Sequence, residues 1–389
     1  MKPYTLFIAL LFLTTVSRAQ KFTFNQGGTL AKDYYEELPY ENINGKIFLN
    51  VEIDGKNHRF LFDTGAPVAI SKALAEELRA AVLHKSPVTD AYGKSTDSIA
   101  FVSLNRIKLG NTEFNNIPAV MLIPDFYNCW NVDGVIGSNI LRNSIVNINP
   151  AKHLIILTNN SKKLSLNVKS SSPLVTNTSS QSDPIVKIVI ADKVDVTLGF
   201  DTGDNTFIRM CDPLLKQFTK PGVYEVLAKG YGANNFSAGG LQASADKQLI
   251  KFPFITVGNG RFDNVITENN KEGSPAIGTK ILDYGSVTLD FIHGKFYFDA
   301  NQPLNDLNEK HWPFQPIIAN NKLMVGTVWE KGIGKVKQGD QIIAIDGIDC
   351  STISLCDVIN KSILEGKDTV IVSIRDGDGN IKKVQINKE

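Results

Sequence analysis

The chain has 389 residues and carries 41 Lys and Arg against 40 Asp and Glu, a formal net charge of +1 at pH 7. That length exceeds the usual single-domain range and predicts two or three packed units. With charge balanced and no basic block or basic-aromatic stripe, a nucleic-acid partner is not expected.

In the first twenty residues, Lys2 precedes an apolar run from Leu6 to Val16, and small residues follow at Ser17 and Ala19. This spacing predicts a signal peptide over residues 1–19, cleaved after Ala19. The run is shorter than the ~20 residues of a bilayer span, and nothing later is long enough either. The expectation is an exported protein, periplasmic or secreted, with no membrane span after cleavage. No Cys follows the run, so a lipoprotein anchor is not supported. Residues 20–42 read as a polar N-terminal extension and a candidate propeptide.

From Ile43 the pattern becomes β-rich. The stretch GKIFLNVEIDGKNHRFLFD predicts two strands joined at Asp54-Gly55, a pair suited to a hairpin that needs positive φ. The spacing of Leu74, Leu78 and Val82 predicts a helix over residues 71–84, with Ser71 as its N-cap. Residues 159–184 are rich in Ser, Asn and Thr and read as a linker. A second β-rich segment covers residues 185–300, a joint covers 301–321, and a final unit covers 322–389. Four cysteines (Cys129, Cys211, Cys350, Cys356) in an exported chain allow two disulfides in three pairings that sequence does not separate. The five histidines are scattered and no metal-ligand spacing occurs, so neither a metal nor a cofactor is expected.

The informative feature is a repeat. Phe-Asp-Thr-Gly occurs at residues 62–65 and again at 200–203. Ungapped alignment of the two brings Ile70 onto Ile208, each at the start of a strand-to-helix pattern. Tyr92-Gly93 follows Asp63 at nearly the interval at which Tyr231-Gly232 follows Asp201. Farther on, GVIGSNILRNSIVNINP matches PAIGTKILDYGSVTLDF, with Ile136-Gly137 on Ile277-Gly278. One Asp-Thr-Gly is a common turn sequence. Two, each with the same surroundings, mark a tandem duplication of one β-rich unit.

If the copies pack about a pseudo-two-fold axis, Asp63 and Asp201 face each other. Carboxylates about 3 Å apart repel by roughly 5 kcal/mol at an effective dielectric near 20, so the pair holds one proton over a broad pH range. The charged one can deprotonate a water while the protonated one donates to an amide carbonyl. Gly65 and Gly203 permit close approach of the loops, and Thr64 and Thr202 are placed to cross-link them. Calcium is a poor fit, since neither site has the oxygen-rich ladder it needs.

These motifs resemble the pepsin and retropepsin superfamily of aspartic peptidases. The resemblance implies a mainly β, bilobal pepsin/retropepsin-like acid protease fold, with lobes over residues 43–158 and 185–300. It implies Asp63 and Asp201 as the catalytic dyad, Ile136-Gly137 and Ile277-Gly278 as supports beneath it, and Tyr92-Gly93 and Tyr231-Gly232 as flap candidates. Ala66 follows the retroviral pattern rather than the Ser or Thr of pepsins, and Asp204 adds a third carboxylate near the pair. Loss of the hydroxyl donor predicts a pH optimum less acidic than pepsin's.

The last unit, with Gly339-Asp340, Ile342, Ile345 and Gly347 followed by a helical stretch over 354–364 and a hairpin at DGDGN (376–380), resembles a small α/β PDZ domain of exported bacterial proteases. That resemblance implies capture of a C-terminal peptide, with Leu323, Met324 and Val325 as candidates for the carboxylate-binding loop. The combined expectation is a monomeric aspartic endopeptidase acting on proteins or peptides. The alternatives are a catalytically silent peptide-binding scaffold of the same fold and a zymogen or narrowly restricted protease.

Overall fold

Asp54 and Gly55 both take positive φ, 51° and 79°, the geometry of a two-residue hairpin turn whose twist matches its strands. They join the strands Lys46–Ile53 and Lys56–Phe62, paired antiparallel in register Ile53↔Lys56 through Phe48↔Leu61. The structure is a computed structural model that describes residues 22–389 except 91, 96, 122, 123, 234 and 238. The expected signal peptide lies outside the described residues. No described helix is long and apolar enough to cross a membrane.

Strand Lys46–Ile53 is buried along one face and, at Phe48, on the other as well, which interrupts the alternation of apolar and polar residues. Ile47, Leu49, Val51 and Ile53 enter the main core, while Phe48 points the other way, into a smaller cluster with Leu61, Phe101, Trp130 and Val135. Each such side chain fully withdrawn from water contributes about 1.5–3 kcal/mol.

The helix expected over 71–84 is much shorter. Ser71 does cap it, accepting from the Leu74 N–H at 3.1 Å, but the helix covers only Lys72–Glu77. Arg79 takes φ 49°, which no helix interior tolerates, and Ala81–Ser86 continues as a strand paired with Ile99–Leu104. Val82 is therefore exposed on a strand rather than buried on a helix face. Pairing with a distant strand has overridden local periodicity.

Each repeat closes on itself in the same way. Gly134–Ile136 inserts between two strands, parallel to Phe60–Phe62 and antiparallel to Ala69-Ile70. In the second repeat Ala276-Ile277 lies parallel to Gly199-Phe200 and antiparallel to Ile208-Arg209. The repeats meet where Ile145–Asn149 pairs antiparallel with Gly285–Asp290. Asn147 there opposes Thr288, its own counterpart in the alignment, and donates to its hydroxyl at 2.8 Å. Equivalent residues touch at this point, as a local two-fold axis requires.

Two boundaries shift. Tyr35–Ile43 is a strand paired with Leu154–Thr158 and with Lys46–Leu49, so the second half of the supposed extension is part of the first repeat's framework. Within the expected linker, Ser171–Thr176 is a strand that pairs with Lys295–Tyr297 and Pro184–Val186. Its Ser-rich composition hid it, since only Leu174 enters the core.

The final unit begins earlier than expected, at strand Phe314–Ala319, which pairs with Lys322–Trp329. With Gln341–Ile345, Thr369–Arg375 and Ile381–Asn387 it encloses a separate core around Phe314, Val325, Ile342 and Val372. Its helix covers only Leu355–Asn360, started by a Ser354/Asp357 capping box. Cys129 and Cys356 form a disulfide that ties this helix to the 3-10 helix Asp125–Trp130. Cys211 and Cys350 are free and buried, so one pairing exists where two were allowed.

Candidate active site

Asp63 and Asp201 each sit one residue past the end of a strand, Lys56–Phe62 and Val194–Phe200. The inserted strands hold them there. Asp63 N–H donates to the Ile136 carbonyl and Asp201 N–H to the Ile277 carbonyl, both at 2.9 Å. Gly137 and Gly278 lie against the undersides of the two loops. A Cβ on Gly137 would fall 2.3 Å from the Ala66 oxygen, and one on Gly278 2.3 Å from that of Thr206.

Thr64 and Thr202, both fully buried, bind the loops reciprocally. Thr64 N–H donates to Thr202 Oγ1 at 3.0 Å and Thr202 N–H to Thr64 Oγ1 at 3.1 Å. Each hydroxyl then donates across to the opposite strand, Thr64 to the Phe200 carbonyl at 2.6 Å and Thr202 to that of Phe62 at 2.9 Å. Gly65 and Gly203 donate their N–H groups to Asp63 Oδ1 and Asp201 Oδ1, each at 2.9 Å. A side chain at either glycine would strike the opposing carboxylate, at 2.4 Å from Asp201 Oδ1 or 2.3 Å from Asp63 Oδ2.

Burial, and next the charge of Asp201, push the Asp63 carboxyl up to about 7, against the opposing pull of Lys46 and the Gly65 N–H. Lys46 Nζ donates to the Gly203 carbonyl. On the other side, Arg209 is nearly buried and forks between two carboxylates, Nη2 to Asp201 Oδ2 at 2.9 Å and Nη1 to Asp204 Oδ2 at 2.6 Å. Its Nε donates to the Ser274 carbonyl at 3.0 Å. Asp204 is a third carboxylate beside the pair, and it shares the Arg209 guanidinium with Asp201. It accepts from Arg209 and from the Thr206 N–H at 2.8 Å.

Arg209 lies outside the repeated motifs, although the sequence carries a signal for it. It interrupts the apolar run Phe207-Ile208-Arg209-Met210-Cys211 and occupies the position held by Ser71 in the first repeat. A charge inside an apolar strand needs a buried partner. Tyr127 lies outside those motifs too. It lines the cleft that holds Asp63 and Asp201, and burial first, then the charges of both aspartates, push its phenol up.

Tyr92-Gly93 lies at the tip of the excursion between strands Ala81–Ser86 and Ile99–Leu104, with Gly93 at φ 83°. Asp90 shapes the turn by accepting from the Tyr92 N–H at 3.0 Å and the Lys94 N–H at 2.8 Å. The Tyr92 ring centroid is 5.5 Å from the Arg209 guanidinium carbon, so this tip reaches over the dyad. Tyr231-Gly232 is not a tip. It belongs to strand Glu225–Gly232, paired on one side with Ala245–Val257 and on the other with Thr327–Trp329 of the final unit. The turn of that second hairpin lies beyond it, where Ser237 Oγ and Gly239 N–H donate to Asp90 Oδ2.

Below these contacts is a cleft of about 780 Å³ that contains Asp63 and Asp201 and is lined on its apolar side by Phe101, Phe126, Tyr127 and Trp130. Ile317, Val358 and Ile359 of the final unit form part of its wall, and so do Phe22 and Phe24. Leu323, Met324 and Val325 are placed elsewhere. Leu323 and Val325 are buried in the final unit's core, and their strand is paired with Phe314–Ala319 on one side and at Met324 with Gln341 on the other. Among the described residues, both edges of that strand are engaged, the second at Met324 and through the Val325 N–H and carbonyl with Asp340 and Gly339.

Residues 49–140 match the family model for aspartyl proteases. The fold is mainly β, and the aspartic-protease-like match lies within its first repeat. Among solved structures, the chain is similar to a retropepsin-like aspartic protease from Rickettsia conorii, at 20% identity over 33% of this chain and 94% of that one, with a TM-score of 0.25. It is also similar to basic 7S globulin from soybean, at 12% identity over 69% of this chain and 95% of that one, with a TM-score of 0.38. Conglutin gamma from lupine seeds gives 11% identity, 70% and 96% coverage, and a TM-score of 0.38. Likeness at these scores carries no argument about activity. No curated protein matches the chain.

Proposed function

We propose that the protein is a bilobal aspartic endopeptidase in which Asp63 and Asp201 hydrolyse peptide bonds through a water held between them. The observation that carries this reading is the pair of reciprocally braced Asp-Thr-Gly loops, which puts two carboxyls face to face on the floor of a cleft. In the first step Asp201 takes a proton from the water as its oxygen attacks the amide carbonyl carbon, and Asp63 gives its proton to the carbonyl oxygen. As the tetrahedral adduct collapses, the C–N bond breaks, the nitrogen takes the proton from Asp201 and a hydroxyl proton returns to Asp63. Acid and base are thereby restored. The substrates are proteins or peptides, the chain acts as a monomer, and it works outside the cytoplasm.

We assign the final unit as PDZ-like and as a substrate-recognition element. Strand Phe314–Ala319 pairs with Lys322–Trp329 and closes one side of the cleft that holds the dyad. Its Ile317 and the helix residue Val358 both line the cleft. A peptide resting against that wall would lie in the same cleft as the dyad.

A catalytically silent peptide-binding protein is the competing reading, and Arg209 on Asp201 is the observation in its favour. Incubation with a diverse peptide library across about pH 3 to 8 decides between them. The native chain is expected to cut and Asp63→Asn and Asp201→Asn to lose cutting. A native protein that cuts nothing, or variants that cut as well as it does, would sink the peptidase assignment.

A further inference from the structure

Almost every contact of the dyad is two-fold symmetric. Thr64 matches Thr202, Gly65 matches Gly203, and the Ile136 carbonyl matches that of Ile277. Nothing in this set tells one aspartate from the other, although hydrolysis needs one as base and one as acid. Arg209 breaks the symmetry. Its counterpart Ser71 faces away and caps a helix.

We propose that Arg209 is a positioning residue of the dyad, which clamps Oδ2 of Asp201, fixes Asp201 as the carboxylate that accepts the water proton, and leaves Asp63 as the proton donor. The placement is over-determined. All three guanidinium nitrogens are engaged, by Asp201, Asp204 and the Ser274 carbonyl. A buried guanidinium persists only when paired in this way. Asp204 holds the second terminal nitrogen of the same guanidinium, and the Tyr92 ring lies against the group from the neighbouring excursion.

Other titratable groups face the pair. Lys46 approaches from the first repeat's hairpin and pulls on Asp63. Tyr127, on the 3-10 helix Asp125–Trp130, lines the cleft that holds both aspartates. Asp183, which precedes strand Pro184–Ile190, feels the charge of Asp201. Glu268, on strand Gly260–Asn270, acts on Tyr92. Among the described residues, Arg209 is the one that forms an ion pair with either member of the dyad.

A cation fixed on one carboxylate favours the singly protonated dyad down to lower pH, so it should extend the acid side of the active range. The catalytic part of this inference rests on the peptidase reading, and its electrostatic part does not. The test therefore uses two readouts on the full chain: the acid limb of the pH profile of kcat/KM, and the carboxyl 13C titration of the dyad, assigned with Asp63→Asn and Asp201→Asn.

Arg209→Gln, which keeps a donor without charge, is expected to move both upward by ~1 pH unit or more, and Arg209→Lys to restore most of the native position. A merely structural arginine would lower activity without moving either. If native protein cuts and neither readout moves in Arg209→Gln, the inference is overturned. If the titration moves but native protein cuts nothing, the peptidase reading falls while the assignment of charge on the dyad stands. Should the Gln variant not fold, Arg209→Lys carries the test, and loss of the native titration position in that folded variant would count against a role for charge.

Discussion

Replacing Asp63 by Asn should stabilise the folded chain at mildly alkaline pH while abolishing the proposed chemistry. The Asp63 carboxyl is raised from 3.8 to about 7 in the folded protein. A raised value means that the folded chain keeps a proton that the unfolded chain releases. Its stabilising contribution is fully present below the unfolded value and is lost as pH rises through about 7. Three pH units at about 1.36 kcal/mol each give an upper figure of about 4 kcal/mol, reduced in practice because the neighbouring aspartate shares the titration. Asparagine is nearly isosteric and keeps an oxygen for the Gly65 N–H, so the variant removes the charge with little change in packing. Urea unfolding of both proteins at a series of pH values from about 4 to 8 should show the variant gaining on native protein as pH rises. Curves that stay parallel would show that Asp63 titrates as an ordinary exposed carboxyl, and the argument from burial would fail.

The braces between the loops carry a second expectation. Thr202→Val keeps the volume but leaves the Phe62 carbonyl and the Thr64 N–H without their partner in a fully buried place. The loss should be about 2–5 kcal/mol by thermal or urea unfolding. For the final unit, Cys356→Ser opens a disulfide that spans 227 residues of chain. A loss of about 2–4 kcal/mol is expected, and protease footprinting should show helix Leu355–Asn360 newly accessible while the pairing of Gly230–Gly232 with Thr327–Trp329 stays protected.

The sequence by itself determined the features that depend on local chemistry or on the repeat. Asp54-Gly55 reads as a turn because few other pairs take two positive φ angles in succession. The dyad, its threonines and the two Ile-Gly supports were legible because a duplication writes the same site twice, and a coincidence of that kind does not arise from turn propensity. Composition and short-range periodicity served less well. They extended the helix at Ser71 through residues that pair as a strand, and they read a Ser-rich strand as linker, because the partners that settle those residues lie far away in the chain.

What surrounds the dyad follows from packing between segments far apart in the chain. Arg209 reaches Asp201 across a loop, Lys46 arrives from another hairpin, and Tyr92 descends from a third element. Tyr231-Gly232 looked like a flap by analogy with its counterpart, yet its strand edge is taken by the final unit. Burial sets the charge state of Asp63, and burial belongs to the packed assembly rather than to any stretch of sequence. The repeat could say that two aspartates meet, and the asymmetry that tells them apart came from Arg209, which pairs with Asp201 and has no charged counterpart in the first repeat.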